Sequence, residues 1–384
     1  MSETAIRNGA HAAPPANAAL RAVIDTELAP LVRQIDHDGL YPAQAMRALG
    51  AAGLFSHHLA AHSPRPSIAA AVDAMAAVGE TCMSTAFCTW CQDASGWYLE
   101  QSDNTALRDE LQAGLAQGAT MGGTGLSNPM KSLSGIEKFK LRGRRVLGGY
   151  EVSGVLPWVS NLGPGHLFGT VFEDADKPDH RIMAMIRCGQ PGVDIKMNAH
   201  FVALEGTGTY SVLFRRAFIA DEMLLADPLG DMVRRIKAGF ILLQTGMGIG
   251  VTQACITLMR EADVTHGHTN QHLPRRADDF AADLAAVHGE ITQLAATPLD
   301  QAPEYLRAVL TARLRISELT LEAGQAALLH TGARGYIEGS AVNRRIREGH
   351  FVAIITPSIR HLRQELSRPE LRMASATPLS ASVH

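Results

Sequence analysis

The hydrophobic period of this chain changes twice, and that order excludes most folds. From residue 18 to about 118, apolar residues recur at helical spacing. The pattern predicts helices over 18–36, 42–51, 66–78, 84–99 and 105–117, with Pro42 suited to a helix's first turn. The stretch 84–99 is apolar on nearly every side, the mark of a buried helix. From about 119 to 224 the chain turns to short β-branched or alternating runs separated by Gly, Pro, Asp and Asn. Strands are predicted over 137–141, 145–152, 166–172, 182–186, 193–197 and 209–219, with a turn at Gly189-Gln190-Pro191-Gly192. At Asp227-Pro228 the helical period returns, predicting helices over 232–261, 280–295, 303–331 and 344–365. The expected organisation is a disordered leader over 1–17, a helical domain over 18–118 and a β-barrel or sandwich over 119–225. A helical bundle over 226–368 and a tail over 369–384 complete it.

Composition narrows the function classes. The 384 residues carry a formal net charge of -3, which gives no footprint for a nucleic-acid partner. No apolar run approaches the ~18 residues of a membrane span, and the first residues lack a secretory signal's pattern. Five cysteines, an odd number without such a signal, point to reduced thiols and a cytoplasmic protein. Cys88-Thr89-Trp90-Cys91 has no second ligand pair for zinc and lies in a helical pattern. Small buried helix positions explain it more simply.

Two segments in the β-region carry the functional signal. One is Met121-Gly122-Gly123-Thr124-Gly125-Leu126-Ser127-Asn128-Pro129. The other is Leu156-Pro157-Trp158-Val159-Ser160-Asn161, after the β-like Gly148–Gly154 stretch. A flat aromatic ligand needs an aromatic wall, which Trp158 can supply, and small donors, which Ser127, Ser160 and the backbone near Leu126 can supply. These segments resemble the flavin-binding middle domain of the acyl-CoA dehydrogenase family. Leu40-Tyr41-Pro42 through Ala52-Gly53-Leu54 is similar to the family's opening. His330-Thr331-Gly332-Ala333-Arg334-Gly335-Tyr336 resembles its Gly-Gly-x-Gly-Tyr turn. Arg344-Arg345-Ile346-Arg347-Glu348 resembles the Arg-rich run that follows.

The resemblance implies an N-terminal all-α domain, a middle β-domain and a C-terminal four-helix bundle. It implies FAD, with FMN as the alternative, held by Leu126, Ser127, Trp158, Val159, Ser160 and Gln271. Gly332 and Gly335 would reach a diphosphate held mainly by a neighbouring subunit, so a homotetramer or homodimer is expected. Phe87, Cys88, Trp90, Cys91, Gln92 and Phe240 fall where the family lines its acyl pocket, and large side chains there favour a short, branched or aromatic substrate.

The departures bear on the chemistry. The family's usual catalytic Glu falls on Thr356, which cannot abstract a proton at neutral pH. The other place for a base, on the helix that opens the last domain, falls on Phe240. Of the family's Arg-x-Gln-Phe-Gly only Gln271 matches, and Met130-Lys131-Ser132-Leu133 replaces its Ala-Gly-Ser-Asp. Glu348, His350 and His361 are unmatched candidates for a displaced base. The leading expectation is dehydrogenation of the CH–CH bond of an acyl thioester on CoA or a carrier protein, with an electron-transfer partner. A flavin monooxygenase using O2 and a separate flavin reductase is the alternative. A degenerate subunit of a hetero-oligomer is the third.

Overall fold

In the computed structural model, residues 18–197, 199–369 and 371 are described. The expected leader over 1–17 and most of the expected tail lie outside them. The first helical region comprises α1 (Ala18–Val23), α2 (Val32–His37), α3 (Ala43–Ala51), α4 (Ile68–Thr81), α5 (Met83–Gln101) and α6 (Thr105–Ala116). The helix expected over 18–36 is broken between α1 and α2 by tighter and wider turns around Pro30, because proline cannot donate into a helix interior.

The middle region is one mixed sheet. Its strands are β1 (Gly122–Thr124), β2 (Leu141–Val146), β3 (Gly149–Val159), β4 (Leu167–Asp174), β5 (Arg181–Arg187), β6 (Val193–Lys196), β7 (Tyr210–Ala220) and β8 (Leu224–Ala226). Their order is β6-β7-β3-β2-β4-β5-β8, with β1 parallel to β4 off this path. Two strand expectations shift. Residues 137–140 are not strand, and 145–152 is a hairpin: β2 ends at Val146, Gly148 takes φ +78°, and β3 begins at Gly149. A short helix, α7 (Ser127–Leu133), follows β1 where no helix was expected. One face of the sheet packs its own core around Phe168, Phe172, Phe214, Val152 and Ile219.

The last region holds α8 (Gly230–Leu243), α9 (Thr245–Asn270), α10 (Ala277–Leu294), α11 (Pro303–Thr331), α12 (Ala341–Ile354) and α13 (Ile359–Leu366). The helix expected over 344–365 is two, because Pro357 interrupts the ladder after Ile355. Only Gln244 separates α8 from α9. The stretch Gly230–Asn270 is long and apolar enough to cross a membrane by length and composition, and 83% of its most apolar window is buried inside the fold. That burial gives its apolar surface a partner within the protein itself.

Helix α5 lies where the three regions meet. Every residue from Met83 to Leu99 is buried. Towards the sheet, Ser95 Oγ donates to Gly123 O (2.7 Å), Tyr98 Oη meets Thr124 Oγ1 (2.6 Å) and Gln92 Oε1 accepts from Gly122 N (2.6 Å). Towards α8, Trp97 Nε1 donates to Ile236 O (3.1 Å) and Trp90 Nε1 to Phe240 O (3.3 Å). Its first amide, Met83 N, donates to Glu348 Oε1 on α12 (3.3 Å).

Candidate functional site

A cavity of ≈ 410 Å³ opens where the sheet, α5, α8 and α12 converge. Its polar side is built by strand ends. Thr124 closes β1, Ser127 opens α7, Ser160 follows β3, and Thr207 and Thr209 precede β7. Thr124 and Ser160 form a β-bridge. The backbones approach so closely that a Cβ on Gly123 would sit 2.4 Å from Ser160 O, which only glycine allows. The hydroxyls form a chain: Ser160 Oγ to Thr209 Oγ1 2.7 Å, and Thr209 Oγ1 to Thr207 Oγ1 2.8 Å. Opposite, Ser127 Oγ lies 3.0 Å from Thr356 Oγ1, in the break after α12.

The apolar side is aromatic. Phe87 and Trp90, on one face of α5, stack at 5.7 Å, and Phe240 meets Trp90 edge-on at 4.9 Å. Phe351 from α12 meets Phe87 edge-on at 4.8 Å. Trp158, next to the end of β3, stands against Phe201 with centroids 5.5 Å apart and keeps 44% of its surface exposed. A large ring left open beside a set of hydroxyls is the form a planar aromatic ligand requires. By that test the residues present fit a flavin ring.

The structure thus brings Ser127, Trp158, Ser160, Thr356, Phe87, Trp90 and Phe240 to one cavity. Other sequence candidates lie elsewhere. Cys88 and Cys91 are fully buried and do not line the cavity, Cys88 Sγ reaching Thr207 O at 3.7 Å behind the lining, and burial pushes both thiols well up from their ordinary pKa. Gln92 spends its amide on Leu115 O and Thr120 O rather than on the cavity. Val159 is packed in the sheet core. Leu126 faces a second cavity of ≈ 270 Å³, for which Phe240 is the shared wall. Gln271 is exposed and bonds back to His268 O, and the turn of Gly332 and Gly335 lies at the end of α11, outside the cavity of the single chain.

The displaced-base candidates separate in the same way. Glu348 is buried between Arg344 (2.9 Å) and Arg345 (2.8 Å) and does not line the cavity. His361 is buried with Nε2 2.8 Å from Ser134 Oγ, and burial lowers its pKa. His350 does line the cavity, with Lys131 and Arg347; among the described lining residues there is no Asp or Glu. Sequence reasoning passed over Thr124, Thr207, Thr209, Lys131, Arg347, Phe351 and Ile354 as lining residues. Arg347, His350, Phe351 and Ile354 recur at i, i+3, i+4 and i+7, the signal of one helix face. The partner of the Ser160-Asn161 pair was also hidden. Asn161, at φ +62°, is fully buried, accepts from Tyr41 Oη (2.7 Å) and donates to Gly122 O (2.8 Å), tying the first region to β1.

The model of the acyl-CoA dehydrogenase N-terminal domain matches residues 16–119. Among solved structures, butyryl-CoA dehydrogenase from Megasphaera elsdenii superposes with TM-score 0.80 at 15% identity, over 94% of this chain and 96% of that one. Dibenzothiophene monooxygenase from Paenibacillus sp. A11-2 gives 0.77 at 13%, over 91% and 95%. KijD3, solved in complex with FMN and dTDP-3-amino-2,3,6-trideoxy-4-keto-3-methyl-D-glucose, gives 0.76 at 19%, over 94% and 98%. No curated protein matches the chain by sequence. The fold is that of the acyl-CoA dehydrogenases, shared at these low identities by enzymes of different reactions. The sequence match to the family is confined to the first domain, and over the rest of the chain the likeness is one of fold.

Proposed function

We propose that this chain is a flavin-dependent oxidoreductase acting on a small molecule in the cavity beside Trp158, and that its reaction is an O2-dependent monooxygenation. One observation carries the choice of reaction: among the described residues the cavity is lined by Lys131, Arg347 and His350 and by no carboxylate. Abstraction of an α-proton beside a thioester needs a positioned base, and Glu348 is committed to two arginines instead. Bound flavin supplies two-electron redox chemistry and O2 reactivity. Trp158 would wall the ring, and Ser127, Ser160 and Thr356 would direct hydroxyls to its polar edge. The aromatic side from α5, α8 and α12 would pack the substrate and exclude water. FAD and FMN both suit this reading. A reductase supplying reduced flavin is the partner it calls for, and a homotetramer or homodimer would bring the Gly332 turn to a neighbour's cofactor.

Dehydrogenation of a short, branched or aromatic acyl thioester is the second reading. It rests on His350, whose imidazole lines the cavity with no hydrogen-bond partner among the described residues. The two are separated by loading the protein with FAD or FMN and mixing it anaerobically with butyryl-CoA and branched or aromatic acyl-CoAs. Monooxygenation predicts no bleaching, and a transient near-ultraviolet absorbance when the reduced protein meets O2. Bleaching by a thioester, abolished in His350→Ala, overturns it in favour of dehydrogenation. Absence of flavin binding removes both and leaves the degenerate-subunit reading.

A further inference from the structure

The basic side chains lining the cavity are of two kinds. Lys131 and Arg347 are neutralised locally, by Glu137 at 3.2 Å and by Asp36 at 2.6 Å. His350 stands free at the cavity wall. Beneath these groups lies a cation of a different kind. Arg313 on α11 is fully buried, and its hydrogen bonds run to neutral groups. Nε donates to Gln244 Oε1 (3.0 Å), Nη2 to Val352 O (2.9 Å) and Nη1 to Ser317 Oγ. Among the described residues no carboxylate pairs with it. Burial pulls its pKa down, to about 10, so it stays charged at neutral pH. A lone buried charge is among the costliest groups a fold can hold, and an unbranched apolar side chain would fill the place without that cost.

The bonds beyond Arg313 lead to the cavity. Gln244 accepts from the guanidinium with its oxygen, and its Nε2 donates to Thr356 O (2.8 Å). Thr356 Oγ1 lies 3.0 Å from Ser127 Oγ, and both hydroxyls line the cavity. One side chain therefore separates the unpaired cation from the residue that stands in the place of a carboxylate base. We propose that Arg313, acting through Gln244, is a positioning residue that fixes Thr356 and Ser127 and provides the counter-charge for an anionic occupant of the cavity. Resting on the flavin reading, that occupant is the reduced ring, which can carry a negative charge near neutral pH, whereas the oxidised ring is neutral. A cation under the site also agrees with the missing carboxylate, since a Glu at position 356 would cancel it.

The test compares affinities for two states of one ligand. The apo protein is titrated anaerobically by calorimetry with oxidised and with reduced FMN and FAD, and the ratio of the two dissociation constants is read. Wild type is expected to favour the reduced form. Arg313→Met removes the charge. Gln244→Glu neutralises it in place and gives the buried guanidinium a partner, so it carries the test if Arg313→Met does not fold. Both are expected to lose about tenfold of the preference for reduced flavin, while Arg313→Lys, which keeps the charge, retains most of it. A purely structural role would weaken both flavin states equally. An unchanged ratio in Gln244→Glu overturns the inference alone, as does an Arg313→Lys variant that loses the preference fully. A wild type that binds neither flavin state overturns this inference and the flavin reading together.

Discussion

Asp93 keeps a carboxyl inside α5 with no hydrogen-bond partner on either oxygen, 4.0 Å from the unpartnered Nδ1 of His58. Burial pushes the Asp93 pKa well up and pulls that of His58 down to about 4, so it favours the neutral form of each. Their effects on stability have opposite signs. The depressed His58 loses stability as pH falls from its unfolded value of about 6.5 towards 4, and the raised Asp93 loses it as pH climbs above about 3.9. Between these limits the two partly cancel. Urea midpoints are expected to show that Asp93→Asn gains stability steadily from pH 4 to 6.5, whereas wild type gains less over that window because the raised Asp93 opposes His58. A wild-type curve unchanged by the substitution would place the Asp93 proton elsewhere. Glu348 gives a second residue-level expectation. Glu348→Gln leaves Arg344 and Arg345 without their carboxylate and should cost ~3 kcal/mol in denaturant unfolding. The folded variant should bind flavin as wild type does; a variant of unchanged stability that fails to turn over would restore Glu348 as a base. What made Glu348 attractive in sequence was proximity along the chain to Thr356. Helix α12 turns its carboxylate to the opposite side, towards Met83 and the arginines, a direction that no single residue discloses.

At the scale of elements, β1 shows how little room the site leaves for variation. Gly123→Ala places a methyl 2.4 Å from Ser160 O, so β1 and the end of β3 must part. The expected cost is about 1–3 kcal/mol in stability, with weaker flavin binding because Thr124 and Ser160 separate. Normal binding in Gly123→Ala would show that these two do not act together. The Met121–Pro129 segment and the Trp-Val-Ser-Asn run were legible in sequence through their likeness to a known pair of motifs, but the close approach of Gly123 to Ser160 was not. The far wall was harder to see. Thr207 and Thr209 come from a turn between β6 and β7 that carries no motif, and they reach Ser160 only through sheet register. Phe87 and Trp90 were readable as a helix face, but Cys88 and Cys91 were drawn in with them, because an all-apolar helix hides which side faces a cavity.

For the whole molecule, the order helices, sheet, helices was visible as changes of hydrophobic period, and boundaries drifted where proline, a two-residue turn, the unexpected α7 or the break at Gln244 interrupted it. Contacts across the chain were not visible, since Tyr41 with Asn161 or Gln244 with Thr356 join residues whose spacing has no pattern. The end of α11 leaves Leu329, Tyr336 and Ile337 exposed beside the Gly332 turn, more apolar surface than a lone chain gains from showing. Light scattering is expected to return the mass of a dimer or tetramer, and single-chain mass at working concentration would contradict the shared-cofactor reading. Helix α5, bonded at once to β1, α8 and α12, has a practical consequence for anyone who would divide the chain. A fragment holding only residues 119–225 would lose the partners of Gly122, Gly123 and Thr124, and one holding only 226–368 would bare the side of α8 that Trp90 and Trp97 cap. The backbone amides of α5 should then be the slowest in the protein to exchange with heavy water, released only when all three regions come apart together.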